Sequence, residues 1–490
     1  MDVASGSMLF RDTFSQYNAL TTLIQAGALL LFGKYLMTIK LLTAFIYACI
    51  STLLYILYKR ILPSSLVSIM IFLWIFMAPY FIWIFLPWSS IYACFFLLLT
   101  AYFLIRKEES GKRPYIILSG MMASCTFWTK QSVGLLLFVA IFFLLMHQYI
   151  FQKQSVKIVR TDLLLFTTGF FFISACFILW LMSGHALHEW WIQTFTFEEM
   201  WGSIYGKNYQ ISHIVWNSLI PYFYYPYYIY STRVWILIPV NAIFLFFLNT
   251  FFNNTYINKR ENHTLIILIF VGLSSWPQYY PLIDFRHCYW AATPMVGLLG
   301  FSIFYMWKLV IVPNLRISKY FILPLTALCI VGILFPDIAY RMKSALKKLN
   351  KVYVSADNHS VLHGMRLTPN DAMYFSYISH TIDSFLEKDK TRNVVNLSPD
   401  ALFMTFNSHI QNIHPMYVNW EPFNNMLYPE YYPLIMSYIT KQKPLIVTSL
   451  SSLGAPGYCV LKNPYTLDES EISGANMANG FLAVPCSEVN

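Results

Sequence analysis

Charge is scarce in this sequence. Only 11% of its 490 residues are Asp, Glu, Lys or Arg, less than half of the roughly 25% usual in soluble domains. That scarcity, with 57% hydrophobic residues and a mean hydropathy of +0.52, excludes a soluble enzyme and a disordered chain. Internal repeats and low-complexity tracts are absent, which excludes a fibrous array. The eight cysteines form no CxxC pair and no metal-spaced set with histidine, so neither a metal nor a cofactor is indicated. A cleavable signal peptide is also lacking, because the opening MDVASGSMLF is small and polar. So much apolar surface leaves one class, a multi-span membrane protein. The 18% aromatic content suits long stretches at the lipid–water boundary.

The little charge present is unevenly placed. Residues 336–490 hold 12 Lys/Arg and 13 Asp/Glu, net −1, and residues 1–335 hold the other 21 basic and 10 acidic residues, net +11. A nucleic-acid binder would gather its basic residues on one soluble face. Here they fall in short gaps between apolar runs, so the bilayer is the expected partner and nucleic acid is not.

The apolar runs have bilayer length, roughly 20 residues. They are 35–58, 64–86, 88–105, 115–129, 132–150, 163–183, 234–252, 264–280, 287–306 and 320–335. Lipid forbids unpaired backbone, so each reads as a helix. Only Thr129-Lys130-Gln131 separates 115–129 from 132–150, and one long helix is the alternative there. Every second gap is basic: Lys59-Arg60, Arg106 to Arg113, Lys153 to Arg160, Lys259-Arg260, and Lys308 to Lys319. By the positive-inside rule these gaps face the cytoplasm. The alternation requires 115–150 to cross twice, and it puts residues 336–490 outside.

Two outer stretches read as interfacial segments: 17–33, apolar and helical, and 213–230, rich in Tyr with two prolines. Loop 185–233 mixes Trp, Phe, His and Glu, and long loops of this kind are commonly functional. From 336 onward charges and Asn become ordinary, apolar runs shrink to strand length (393–397, 444–447), and 371–388 has a helical pattern. The expected fold class is therefore a polytopic α-helical membrane protein of about ten or eleven membrane helices plus interfacial helices, with a C-terminal extracytoplasmic α/β domain. The expected division is a multi-span domain over 1–335, including an outer loop and interfacial helix over 1–34, and the α/β domain over 336–490. Cys459 and Cys486 stand alone in the latter, where an oxidising compartment permits a disulfide. The other six cysteines lie in or beside apolar runs and read as packing.

Polar residues at membrane depth are functional suspects. On the outer side they are Asp12 beside Arg11, Lys40 near the outer end of the first run, Lys130 with Gln131, the set Asp284, Arg286 and His287, and Glu189, Glu198 and Glu199 in the aromatic loop. A carboxylate, several cations and a histidine at one interface fit a reaction on a lipid-linked phosphate. The cations hold the phosphate and the carboxylate takes a proton from an acceptor hydroxyl. Plainer readings stand beside these. Lys40 also fits snorkelling, Lys130 a contact with lipid phosphate, Asp284 and Arg286 a structural pair, Glu198 and Glu199 a solvated face, and Asp12 a turn.

The stretch Arg11-Asp12-Thr13-Phe14-Ser15-Gln16-Tyr17-Asn18-Ala19-Leu20, the apolar helix ending Phe32-Gly33, and Ile39-Lys40-Leu41-Leu42 resemble the first outer loop of GT-C membrane glycosyltransferases. Those include the protein O-mannosyltransferase and lipid A aminoarabinose transferase types and the transferases that decorate lipopolysaccharide core. Ser119-Gly120 through Phe127-Trp128-Thr129-Lys130-Gln131 is similar to their helix pair ending T-K-Q. Pro277 to His287 resembles their Q-x-x-P-x-x-D-x-x-H loop. The resemblance covers most of 8–310 in order and spacing.

The resemblance implies a glycosyltransferase that moves a sugar from a polyprenyl-phosphate donor to a glycolipid or protein acceptor on the outer face. Asp12 is then the catalytic base, and Lys40, Lys130, Arg286 and His287 bind the donor phosphate. Arg11, Gln131, Asp284 and Glu198 support them; a divalent metal is compatible with this reading but is not indicated by the residues. It also implies a bacterial inner membrane, a periplasmic C-terminal domain, and a spanning helix preceding the first loop, inside which this sequence begins. Two other classes compete: a polymerase or ligase of lipid-linked glycans, usually with Arg-rich outer loops, and a transporter or flippase, with mid-span charges and paired repeats.

Overall fold

The computed structural model of the chain describes residues 2–78, 88–197, 230–251, 258–279, 285–311, 319–349, 352, 354–355, 362–396, 410–411, 431–448, 457–461 and 481–488. Helix dominates. The apolar runs become α1 (Ala19–Phe32), α2 (Leu36–Tyr58), α3 (Ser64–Phe76), α4 (Ser89–Ser110), α5 (Pro114–Thr129), α6 (Gln131–Ile150) and α7 (Val156–Ser183). A short helix α8 (Leu187–Trp191) runs on as a wider turn over Ile192–Thr196, and α9 (Tyr230–Phe251), α10 (Lys259–Leu273), α11 (Phe285–Ala292), α12 (Val296–Met306) and α13 (Ile322–Leu349) follow. Among the described residues five helices are long and apolar enough to cross a membrane, namely Leu36–Tyr58, Ser89–Ser110, Gln131–Ile150, Val156–Ser183 and the broken helix His287–Leu309. Shorter apolar helices are Ala19–Phe32, Ser64–Phe76, Leu237–Phe251 and Ile322–Gly332.

The run 264–280 differs from expectation. Its helix stops at Leu273, and a tight turn over Trp276–Tyr279 follows. The cause is local: Ser274 and Ser275 turn their hydroxyls back onto the carbonyls of Val271 and Gly272, and Pro277 lacks the N–H that continuation needs. The last run also differs, because α13 continues past residue 335 to Leu349. The segment 115–150 divides into two helices. Lys130 adopts extended backbone, φ −147° and ψ 106°, between α5 and α6. The interfacial segment 213–230 lies outside the described residues, except for Tyr230.

The bundle closes by direct backbone contact. α5 packs against both α4 and α7. At the crossing with α7 a Cβ on Gly120 would lie 2.0 Å from the carbonyl oxygen of Phe166. Lipid supplies no hydrophobic drive between helices, so such close approach is what holds them.

The C-terminal part carries a five-stranded sheet in the order β4-β3-β5-β7-β6, from β3 (Val394–Asn396), β4 (Ile410–Gln411), β5 (Leu445–Thr448), β6 (Tyr458–Leu461) and β7 (Phe481–Pro485). β3 pairs parallel with β4 and β5, and β7 pairs antiparallel with β5 and β6. A two-stranded pair, β1 (Val354–Ser355) and β2 (Arg366–Leu367), precedes it. Helices α14 (Pro369–Lys388) and α15 (Tyr431–Gln442) supply apolar residues to its faces: Tyr374, Phe375, Ile378 and Ile382 against Val394 and Leu445, and Ile439 against Val395 and Ile446. Thr368 caps α14 by accepting from Asp371 N–H at 3.2 Å. Leu36 and Met37 at the start of α2 pack against the first of these clusters, and Tyr35 meets His363 at 5.4 Å between ring centroids. The α/β part therefore sits at the end of the bundle where α2 begins. A disulfide joins Cys459 to Cys486.

Gly120→Leu is expected to destabilise the bundle by about 1–3 kcal/mol or more through overpacking against immovable backbone, read as a lowered thermal midpoint in detergent. Thiol titration of denatured, unreduced protein is expected to give six free thiols. Eight would contradict the pairing.

Candidate functional site

The site grows from the turn between α5 and α6. Lys130 N–H donates to Thr126 O at 2.8 Å, closing α5, and Lys130 O accepts from Gly134 N–H at 3.1 Å, opening α6. The two helices turn so sharply that a Cβ on Gly134 would lie 2.1 Å from Phe127 Cα, so only glycine fits there. This hairpin drives the Lys130 side chain inward, where it is 5% exposed. Its Nζ donates to Ser90 Oγ at 2.9 Å and Gln278 Oε1 at 3.3 Å. It also lies 5.5 Å from the ring centre of Tyr17 and 5.9 Å from that of Trp88, within cation–π range. The indole of Trp88 packs edge to face on His287 at 4.7 Å. Segments near residues 17, 88 and 278 thus converge on one ammonium, and His287 joins them through Trp88.

The first loop is tied to the same hairpin. Asn18 Nδ2 donates to Phe127 O at 2.6 Å, and Asn18 Oδ1 accepts from Trp190 Nε1 at 2.6 Å. Gln131 Nε2 donates to Gln16 O at 3.2 Å and Thr194 O at 2.7 Å. Gln193 accepts from Ser15 N–H at 3.0 Å and donates to Phe10 O at 2.8 Å. Beneath these bonds Trp128 stacks between Phe177 and Trp190, at 4.6 and 5.3 Å. Phe10 is fully buried in the same cluster at a backbone φ of +70°. A bulky residue adopts that conformation at a cost of about 1–3 kcal/mol, and ring burial offsets it here.

Asp12 closes the tip of the loop. Its Oδ2 accepts from Met8 N–H at 2.7 Å, and Arg11 grips both oxygens at 2.7 and 2.8 Å. Arg11 also donates to Gly184 O at 3.2 Å, anchoring the loop to the end of α7. The hydrogen bond to Asp12 raises the Arg11 pKa above its ordinary value, with burial opposing it. The Asp12 side chain keeps 36% exposure. Lys40 is half-buried on the first turns of α2. One turn further on is Thr43, which like Gln25 of α1 reaches the Tyr92 hydroxyl, and Tyr92 follows Ser90 on α4. Glu189 is half-buried on α8. Arg286 lies on α11, but its side chain is outside the described residues, as are Asp284, Glu198 and Glu199 altogether.

Ser90 marks one end of α4 and Glu109 the other, about 28 Å apart at helical rise, close to the roughly 30 Å of a bilayer core. At the far end Glu109 accepts from Arg60, Arg106 and Arg260, at 2.8, 3.2 and 2.8 Å, and Lys107 pairs with Glu108 and Asp162. Basic residues from the turn after α2, the end of α4 and the start of α10 therefore meet at one end, and Asp12 and Lys130 lie at the other.

The sequence had no individual signal for Trp88, Ser90, Asn18 or Gln193. Each is a common residue in an apolar context, and only the folded arrangement gives it a partner. Gln278 lay within the quoted Pro277–His287 motif.

No family model and no curated protein matches this sequence. Among solved structures the chain is similar to the oligosaccharyltransferase of Archaeoglobus fulgidus. With a tethered acceptor peptide the TM-score is 0.48 and identity 10%, over 88% of this chain and 61% of that one. For the apo form the figures are 0.46, 10%, 96% and 68%. In complex with an inhibitory peptide and a dolichol-phosphate they are 0.47, 11%, 89% and 61%. The chain spans about three fifths of the length of the first of these.

Replacing Asn18 by Leu leaves Trp190 Nε1 and Phe127 O unpaired. A loss of about 1–3 kcal/mol per orphaned group is expected in thermal or denaturant unfolding, against a near-neutral effect for an exposed control such as Ser68→Ala.

Proposed function

We propose that this protein is a membrane glycosyltransferase. It transfers a sugar from a polyprenyl-phosphate donor to a lipid-linked glycan or protein acceptor on the extracytoplasmic side of the membrane. The observation that carries this reading is the buried Lys130 ammonium, held at one end of the bundle beside the first loop, Trp88 and His287. An ammonium at that depth is expensive, and Ser90 and Gln278 hold it in place. Positioned there, it offers a positive charge to a departing phosphate. The motif resemblance supports the same assignment, since Asp12, Lys130 and His287 occupy its three segments.

In this mechanism the bond between the sugar's anomeric carbon and the donor phosphate oxygen breaks, and the electron pair leaves with the phosphate. Lys130 and His287, together with Lys40 of α2 and Arg286 of α11, stabilise that charge. The acceptor hydroxyl forms the new bond, and its proton passes to Asp12. Asp12 has a second task, because its bonds to Met8 and Arg11 pin the loop tip; partial exposure leaves the carboxylate open to an acceptor. Gln131 holds the loop and α8 in place, and Asp284 and Glu198 complete the supporting set.

The outer placement rests on two supports. Basic gaps gather at the opposite end from Lys130, as the positive-inside rule requires, and the Cys459–Cys486 disulfide fits an oxidising compartment. Residues 336–490 form the outer α/β domain in this reading, and the membrane is a bacterial inner membrane with that domain in the periplasm.

Lys130→Gln is expected to lower turnover about 10²- to 10³-fold, as loss of one transition-state donor does. Asp12→Asn is expected to lower it about 10²- to 10⁴-fold, with a lowered thermal midpoint as well, because an amide cannot accept from both Arg11 and Met8 N–H. Transfer from a polyprenyl-phosphate sugar in reconstituted membranes measures both. Wild-type turnover in the two variants would overturn the site.

A further inference from the structure

The exposed surface of the bundle changes chemistry at Gly184. Along α7 its large exposed side chains are apolar, among them Leu164, Phe172, Leu179 and Met182, as hydrocarbon requires. Directly after Gly184 the exposed residues are His185, His188 and Trp191. His188 and Trp191 stand three residues apart on α8 and share one side of it. His185 precedes them at a backbone φ of +51°, in the left-handed turn that ends α7. Glycine fills such a turn without steric cost; histidine instead sets an exposed imidazole at the entrance to α8.

Trp191 is 57% exposed, and the rings behind it hold it rigid. Its indole stacks on Phe195 at 4.7 Å with 30° between the planes. The buried Trp190 packs edge to face on Phe195 at 5.5 Å and on Trp191 at 6.3 Å. With one face covered and more than half of the residue accessible, the other face of the indole is open. The same segment is fastened to the loop that bears Asp12. Arg11 bridges Asp12 and Gly184 O, Asn18 accepts from Trp190, and Gln193 joins Ser15 and Phe10.

An indole presents a negative π face, which attracts the slightly positive C–H groups of a pyranose ring. A neutral imidazole offers one donor and one acceptor, and a sugar hydroxyl is both. A ring that only anchored α8 in the bilayer would sit among aliphatic neighbours, as the exposed side of α7 does. A rigid, open indole flanked by two imidazoles complements a sugar.

We propose that this side of α8 is a carbohydrate platform that seats the acceptor. A glycan ring stacks on Trp191, and its hydroxyls bond to His185 and His188. The acceptor is then a glycan and not a bare peptide. Its part in transfer rests on the transferase reading, whereas the affinity for sugar does not.

The full chain, labelled with 5-fluorotryptophan and reconstituted in nanodiscs, tests both parts by fluorine NMR. Trp191→Phe identifies the Trp191 resonance among those of the 14 tryptophans. Methyl β-glycosides of glucose, galactose, mannose and N-acetylglucosamine are titrated, with sorbitol as an acyclic control. A saturable shift of that resonance is expected with at least one glycoside and not with sorbitol, and binding about tenfold weaker in the His185→Ala, His188→Ala variant. In transfer from a polyprenyl-phosphate sugar to a glycan acceptor, Trp191→Leu is expected to raise the acceptor KM about tenfold at an unchanged donor KM. No shift with any glycoside, or broadening by spin-labelled lipid in its place, would overturn the platform. An unchanged acceptor KM in Trp191→Leu would overturn its part in seating the acceptor. A saturable shift in a protein that transfers no sugar would overturn the transferase reading and leave the platform standing.

Discussion

An ammonium withdrawn from water between two apolar helices is the constraint around which this structure is arranged. Lys130 tolerates 5% exposure only because oxygen atoms and aromatic faces surround it, and those come from distant parts of the chain. Ser90 and Trp88 must begin α4 there, Tyr17 must close the first loop there, and Gln278 must leave α10 early enough to reach it. The early stop of α10 at Leu273 thus serves the same centre as the extended backbone at Lys130. Low dielectric makes each of these partners matter more than it would in water.

The membrane part was largely legible in the sequence because lipid leaves the backbone so few options. Apolar runs of bilayer length have to be helices, and the gaps between 115–129 and 132–150 and between α4 and α5 fall where charge and Pro114 put them. The alternation of basic gaps called for a break between 115–129 and 132–150, and the helix does break there, at Lys130. The strands at 394–396 and 445–448 and the helix over 369–388 were also readable from pattern, since a half-buried sheet and an amphipathic helix have distinct periods. The end of α10 was not, because a serine pair and a proline break a helix that hydropathy alone would continue.

The site was legible in outline and opaque in detail. Charged residues in an apolar sequence draw attention, so Lys130 and Asp12 stood out, while the neutral residues that position them did not. Gln193 and Asn18 act through amide hydrogen bonds that carry no compositional signature. Asp12 illustrates the reverse limit. Its presence was plain, but its bonds to Met8 N–H and Arg11 depend on a turn whose strained residue, Phe10, no pattern announces. At the other end, Glu109 gathers three arginines, from the turn after α2, the start of α10 and its own helix, a clasp that the simple count of basic gaps did not anticipate.

Helix α7 has a consequence for the membrane itself. Its lower boundary is fixed where Asp162 pairs with Lys107, and its upper boundary where Gly184 receives Arg11. Between them the helix rises about 33 Å, and most of that length faces outward, since only 22% of its apolar window is buried. Polar clamps at both ends make it a rigid gauge, matched to a hydrocarbon slab of about 30 Å. A thinner or thicker bilayer meets that gauge with tilt or with local deformation of the lipid, so the length of one helix sets the slab thickness that the bundle fits without distortion.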